Sequence, residues 1–318
     1  IEFANGEEST PWGGVRARMG HREPFGLSLL GVGNEQWQTE KADFFERYEI
    51  FEKTIHQQAP GIKLIGSAGP DVTSERYDRA WEFYHAHGNQ ENFVYAVDEH
   101  YYVKPQWLYD HVDFYDNYSR EVKVFSGEYA AHPASGFNMP QANTLEGALA
   151  EAAFLTGVER NADVVYMASY APLFARLGYA QWSPDMIWFD GMACFGSPSY
   201  YVQKMYACNM GDFVLETRLD RDAAARGVYY SVSYREKTGE ILLKIVNSGE
   251  GQQELDLELP GIEADRRHIC ATILTGPEKT AYNSITQPRK IVPHEERLES
   301  LKGIVLPPLS FTVLRIGE

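Results

Sequence analysis

The chain has 318 residues, 44 % of them apolar and 23 % charged, which is the range of a soluble globular protein of about two domains. Its 29 basic and 45 acidic residues leave a net charge of −16, which argues against a nucleic-acid partner or polybasic attachment to a membrane. Three cysteines (Cys194, Cys208 and Cys270), with no CxxC pair and no metal-like spacing, imply neither a disulfide framework nor a zinc site, and are expected as buried thiols.

The first 210 residues alternate short apolar runs with amphipathic stretches. Leu27–Gly33 reads as a strand ending in Asn34-Glu35. Phe44, Tyr48, Phe51 and Ile55 recur at helical spacing until Pro60-Gly61, and Lys63–Ser67 is the next strand. Ser74 can cap a helix carrying Tyr77, Trp81 and Tyr84 on one face. Phe93–Tyr102 is a strand, a helical segment follows from Gln106 to Tyr118, and Val122–Tyr129 is strand-like. Thr144 can cap a helix that turns Leu145, Ala148, Leu149, Ala152 and Leu155 inward. Val164–Ala171 is a fifth strand and Ser199–Cys208 a last helix. Repeated strand–helix units predict parallel strands, because a parallel crossover needs a helix to return the chain. Five units are seen, where a closed (β/α)₈ barrel needs eight.

The pattern changes near Phe213. Val228–Tyr234, Glu240–Val246, Gln253–Leu259, His268–Leu274 and Ser310–Ile316 are short alternating runs, separated by turn signals at Lys237-Thr238-Gly239, Gly249–Gly251 and Pro260-Gly261. They predict an antiparallel β-sandwich with Leu255, Leu257 and Leu259 facing in and Asp256 and Glu258 facing out. The expected domains are a partial α/β barrel over 1–211 and an all-β, jelly-roll-like sandwich over 212–318.

In such barrels the C-terminal strand ends build the active site. Two strands end in a carboxylate beside small or polar residues: Gly31-Val32-Gly33-Asn34-Glu35-Gln36-Trp37 and Ser126-Gly127-Glu128-Tyr129. Read locally, Glu35 could instead cap the next helix, and Glu128 could sit in an ion pair. Two carboxylates across a cleft are what glycoside hydrolysis needs: one protonates the leaving oxygen and the other attacks the anomeric carbon. Asn34 could donate to a sugar hydroxyl, and Trp37 could wall the pocket. Between these strands lies Asp98-Glu99-His100-Tyr101-Tyr102. His100 and Tyr102, or Tyr101 beside them, are expected to support the nucleophile. Asp98 and Glu99 are rival carboxylates, ranked lower because neither follows a small residue that would open space for a sugar. The 20 Tyr and 6 Trp suit stacking on sugars and packing a large core equally well.

These motifs resemble those of glycoside hydrolase family 51, the clan A α-L-arabinofuranosidases. Ile1–Gly6, Trp12, Arg16, Gly20 and Pro24-Phe25 are similar to the stretch before the family's fourth barrel strand. Val32–Glu35 resembles its strand-four motif and Gly127–Ala130 its strand-seven motif. Met167–Arg176 and Trp182–Asp190 resemble its strand-eight segment. The resemblance implies that the five strands are barrel strands four to eight. It makes Glu35 the acid/base and Glu128 the nucleophile of a retaining double displacement on terminal α-L-arabinofuranosyl groups of arabinan or arabinoxylan. It places Asn34 on the sugar 2-hydroxyl and the His100–Tyr102 region, Tyr129 and Trp182 around the substrate. No metal or organic cofactor is implied.

Strands one to three would then lie on a segment or companion chain completing the barrel. Because the chain opens at Ile1 without Met, the lack of a signal peptide leaves the compartment open: cytoplasmic, or secreted or periplasmic. Two other readings stand beside the arabinofuranosidase: an endo-acting glucanase or xylanase of the same clan, and a non-catalytic carbohydrate-binding fragment.

Overall fold

A computed structural model describes residues 1–36, 43–88, 90–132, 140–219, 226–259 and 268–317. The chain forms two compact units, one of residues 1–101 with 119–127 and one of residues 102–118 with 128–318.

The first unit opens with helices α1 (Glu2–Asn5) and α2 (Pro11–Arg18). Thr10 caps α2 by accepting from the Gly13 amide, and Pro11 takes the first turn, where its missing N–H costs nothing. Arg16 is fully buried, and its guanidinium donates to the carbonyls of Phe3, His21 and Arg22 at 2.8, 3.1 and 2.8 Å. Strand β1 (Leu29–Gly31) pairs in parallel with β2 (Lys63–Ser67), and β2 with β3 (Ala96–Val103). Helices α3 (Phe44–Gln58) and α4 (Glu75–Ala86) return the chain between them. Tyr48, at the centre of the predicted face of α3, is fully buried and donates to the Phe93 carbonyl at 2.9 Å. Phe51, expected on that face, is 55 % exposed; it lies on the flank of the apolar stripe, beyond the reach of the sheet. Gly66 of β2 has no side chain because Tyr84 of α4 occupies the space: a Cβ there would lie 2.2 Å from the Tyr84 hydroxyl.

Strand β4 (Lys123–Ala131) and β3 both run from the first unit into the second. With β5 (Val165–Tyr170) they complete a five-stranded sheet of order β1-β2-β3-β4-β5, the chain order expected of consecutive βα units. In the second unit, helix α5 (Pro105–Asp110) is shorter than the predicted segment, and the chain continues to Tyr118 in turns. Helix α6 (Leu145–Arg160) is capped by Thr144 as expected, but from Leu145 to Val158 only Glu146 is not buried. A helix covered on all sides needs small residues for close approach, and Gly157 supplies it, since a Cβ there would lie 1.9 Å from the Val112 carbonyl oxygen. Helix α7 (Pro198–Cys208) packs beside α6, with the Tyr206 hydroxyl donating to the Ala152 carbonyl at 2.7 Å.

Between β5 and α7 lies a small sheet absent from the sequence reading: β6 (Phe174–Arg176), β7 (Ile187–Phe189) and β8 (Cys194–Gly196). The remaining strands are β9 (Phe213–Val214), β10 (Val228–Arg235), β11 (Glu240–Asn247), β12 (Gln253–Leu255), β13 (His268–Thr275), β14 (His294–Leu298), β15 (Ile304–Leu306) and β16 (Ser310–Gly317). Six of them form an antiparallel sheet of order β14-β13-β16-β11-β10-β9, and β12 pairs with β15. The inner side chains of the large sheet, among them Ile245, Ile273 and Leu314, pack with Leu301, Ile304 and Leu306; Leu255, Leu257 and Leu259 join that core as expected. Asp256 and Glu258 face out. The predicted turn at Pro260-Gly261 lies outside the described residues. Cys194 and Cys208 are exposed, and only Cys270 is partly covered; the outward face of β8 and the last turn of α7 carry the first two to the surface, contrary to the expectation of buried thiols. Among the described residues no helix is long and apolar enough to cross a membrane.

Candidate active site

Alternation along a strand decides which side chains share a face. On β3, Val97, Glu99 and Tyr101 point one way and Asp98, His100 and Tyr102 the other. The first set lies against α4 and β4. Glu99 is fully buried and accepts from the Tyr77 hydroxyl at 3.0 Å and the Trp81 indole at 2.9 Å, both on α4. Tyr101 is buried with its hydroxyl 2.7 Å from Ser126 Oγ. Glu99 is thus separated from its neighbouring acid by one peptide and by the thickness of the sheet.

In the first unit the other face of β3 meets Glu35. After β1 the chain turns through Gly33 (φ 91°), and Glu35 and Gln36 hold left-handed backbone at φ 58° and 41°. A Cβ at Gly33 would lie 2.5 Å from the Phe44 ring, so the turn needs glycine for space as well as for conformation. Non-glycine residues at positive φ cost roughly 1–3 kcal/mol each and cluster where a side chain must be aimed. Here the aim brings Glu35 Oε1 to 3.1 Å from His100 Nδ1. The other ring nitrogen, Nε2, lies 3.0 Å from Asp98 Oδ2. The imidazole side chain is only 2 % exposed, against 19 % for Glu35 and 17 % for Asp98. Asp98 is one of the two carboxylates that rank below Glu35 and Glu128 on sequence. The small residue that makes room for it is Gly127, on the neighbouring strand, where a Cβ would lie 1.9 Å from Asp98 Oδ1. Asn34 is exposed. Trp37 lies outside the described residues.

In the second unit, Glu128 stands near the end of β4. The Tyr102 hydroxyl donates to its Oε2 at 2.6 Å. The Trp182 ring meets Tyr102 edge-on at 5.0 Å between centroids. Trp182 also stacks on His132 at 5.7 Å. Glu128 and Ala130 share one face of β4, and His132, the residue after its end, joins this wall through its stacking on Trp182 although its residue type alone does not mark it. Tyr129 points the other way, buried, with its hydroxyl donating to Gln203 at 2.8 Å. Beyond it, burial pushes the Glu151 carboxyl up to about 8 although it accepts from the Ala131 amide.

The chain matches two family models, the α-L-arabinofuranosidase 1 domain over residues 1–120 and the α-L-arabinofuranosidase C-terminal domain over residues 127–310. It also superposes over its whole length on the arabinose-bound family 51 α-L-arabinofuranosidase MgGH51, covering 49 % of that chain at a TM-score of 0.84 and 30 % identity. The chain belongs to the family 51 α-L-arabinofuranosidases. Among relatives in this family, it is 45 % identical over 219 residues to an extracellular exo-α-L-arabinofuranosidase of Streptomyces chartreusis, covering 69 % of this chain and 25 % of that one. It is 33 % identical over 320 residues to α-L-arabinofuranosidase 1 of Arabidopsis thaliana, covering 98 % of this chain and 44 % of that one. It therefore spans less than half the length of these family 51 relatives. The fold is shared with an arabinose complex of the Thermotoga maritima α-L-arabinofuranosidase, at a TM-score of 0.79 and 17 % identity, covering all of this chain and 72 % of that one.

Proposed function

We propose that the protein is a retaining α-L-arabinofuranosidase that releases terminal α-L-arabinofuranosyl groups from arabinose-containing glycans. In this reading Glu35 is the acid/base and Glu128 the nucleophile. The observation that carries it is that one face of β3 supplies a partner to each: His100 to Glu35 at 3.1 Å and Tyr102 to Glu128 at 2.6 Å.

Glu128, held by the phenol, attacks C1 while Glu35 passes its proton to the glycosidic oxygen, and the leaving alcohol departs. Water, deprotonated by Glu35, then releases arabinose from the covalent ester. Asn34 contacts the sugar 2-hydroxyl, Trp182 borders the nucleophile beside Tyr102, and Tyr101 and Tyr129 brace the strands behind. The exo action of the Streptomyces relative favours a pocket for a terminal sugar over an endo-acting groove. We also propose that the chain divides near residue 211 into a barrel part and a sandwich domain.

The test is hydrolysis of a chromogenic α-L-arabinofuranoside by the intact protein and by its Glu128→Ala variant. The variant should lose activity by several orders of magnitude; unchanged turnover would remove the mechanism. A sugar complex should place the two carboxyls roughly 5–5.5 Å apart, whereas about 6.5–9.5 Å would mean inversion.

A further inference from the structure

The imidazole of His100 is clamped between two carboxylates, at 3.1 Å from Glu35 Oε1 and 3.0 Å from Asp98 Oδ2. Each contact is a hydrogen bond only if one of its two atoms carries a proton. Two contacts therefore need two protons, and a neutral imidazole brings one. The second sits on the ring, making it imidazolium, or on a carboxyl group. Asp98 decides how the first is placed. An ionised Asp98 accepts from Nε2–H and turns the Nδ1 lone pair toward Glu35, so the remaining proton lies on the line between Nδ1 and Oε1.

We propose that Asp98 is a positioning residue for the acid/base: it fixes the His100 tautomer so that Glu35 meets its substrate with a proton to give. The inference rests on the assignment of Glu35 as the acid. The geometry is built for this role. Asp98 is seated by Gly127, whose missing side chain leaves the space that Oδ1 fills. The ring it holds is 2 % exposed, so water cannot substitute for the carboxylate. The neighbouring acid, Glu99, cannot take its place because it faces Tyr77 and Trp81 across the sheet. In the glycosylation step the proton moves from Glu35 to the glycosidic oxygen, the C1–O bond breaks with its electron pair staying on that oxygen, and Glu128 forms the new C1–O bond. Glu35, now a carboxylate, takes a proton from the attacking water in the second step. With asparagine at 98, the amide can donate to Nε2; the ring proton then moves to Nδ1 and is donated to an ionised Glu35, which has no proton left for the substrate.

The experiment compares two substrates in the intact protein, a methyl arabinofuranoside, whose leaving group must be protonated, and a 2,4-dinitrophenyl arabinofuranoside, whose leaving group need not be. A positioned general acid contributes about 10²–10⁴-fold. Asp98→Asn should lower kcat on the methyl glycoside at least about tenfold more than on the dinitrophenyl glycoside, with KM little changed, as a partial version of that loss. Glu35→Gln should show the same selectivity in full. Equal loss on both substrates, or no loss, in Asp98→Asn while Glu35→Gln stays selective would overturn the role of Asp98. A Glu35→Gln enzyme that is not selective would instead overturn the assignment of the acid, and this inference with it. Should Asp98→Asn fail to accumulate, Asp98→Ser reads the same ratio.

Discussion

Tyr102 shows how one hydroxyl can hold a carboxylate in place. Its bond to Glu128 Oε2 at 2.6 Å joins neighbouring strands and aims the carboxyl group. A hydrogen bond to an ionised group is worth about 1.5–3 kcal/mol, so Tyr102→Phe should lower kcat about ten- to a hundredfold, measured with the chromogenic arabinofuranoside. The same residue scale shows where reading the sequence stopped. Glu35 and Glu128 could be picked out because each follows an apolar strand and a small or polar residue. Asp98 is visible as an acid, but the residue before it, Val97, gives no sign of space beside it. The glycine that makes room for it is twenty-nine positions later, on the adjacent strand. Such cross-strand complementarity has no local signature in a single chain.

At the scale of elements, α6 departs most from expectation. Its periodicity announced one inward face, and small residues elsewhere looked neutral. In the fold Gly147, Ala150 and Ala153 are buried too, because the helix has a neighbour on every side. Glu151 is therefore enclosed, with its carboxyl pushed up to about 8 by burial, against an ordinary 4.5. Between these values the folded protein binds a proton that the unfolded chain has released, so this group's contribution to stability is complete below about pH 4.5 and is lost as pH rises through 8. Thermal midpoints measured across that window should fall with pH, and Glu151→Gln should flatten the decline. The strands absent from the sequence reading have physical reasons for their silence. β14 reads His-Glu-Glu-Arg-Leu and is an edge strand without apolar alternation, and β6, β7, β8 and β15 have three residues each, too few to show a period.

At the scale of the molecule, the helical layer of the second unit meets the antiparallel sheet at a buried ion pair. Lys244 of β11 is fully buried and pairs with Glu159 at the end of α6, which also accepts from the Ser231 hydroxyl of β10. Tyr206 of α7 stacks on Phe311 of β16 at 5.1 Å beside this pair. Removing one charge strands the other, which typically costs about 3–5 kcal/mol. Lys244→Met should therefore lower stability in chemical denaturation by about that much. The double variant with Glu159→Leu should recover most of the loss, since a matched apolar pair restores packing without a buried charge. The broad division into βα units and an antiparallel region could be read from periodicity, whereas this junction could not: a lone lysine among strand residues looks like any surface lysine.

Arg16 raises a question of topology that its chemistry answers. Its guanidinium is the common anchor of three carbonyls drawn from Phe3 and from His21 and Arg22, on either side of α2. A fork with five N–H groups can serve three directions at once, while an ammonium swivels among them. The opening stretch is consequently tied at both flanks of α2 by one side chain, beside the mutual bonds of Asn5 and Leu27, and lysine, for all its charge, is no spare part for that position.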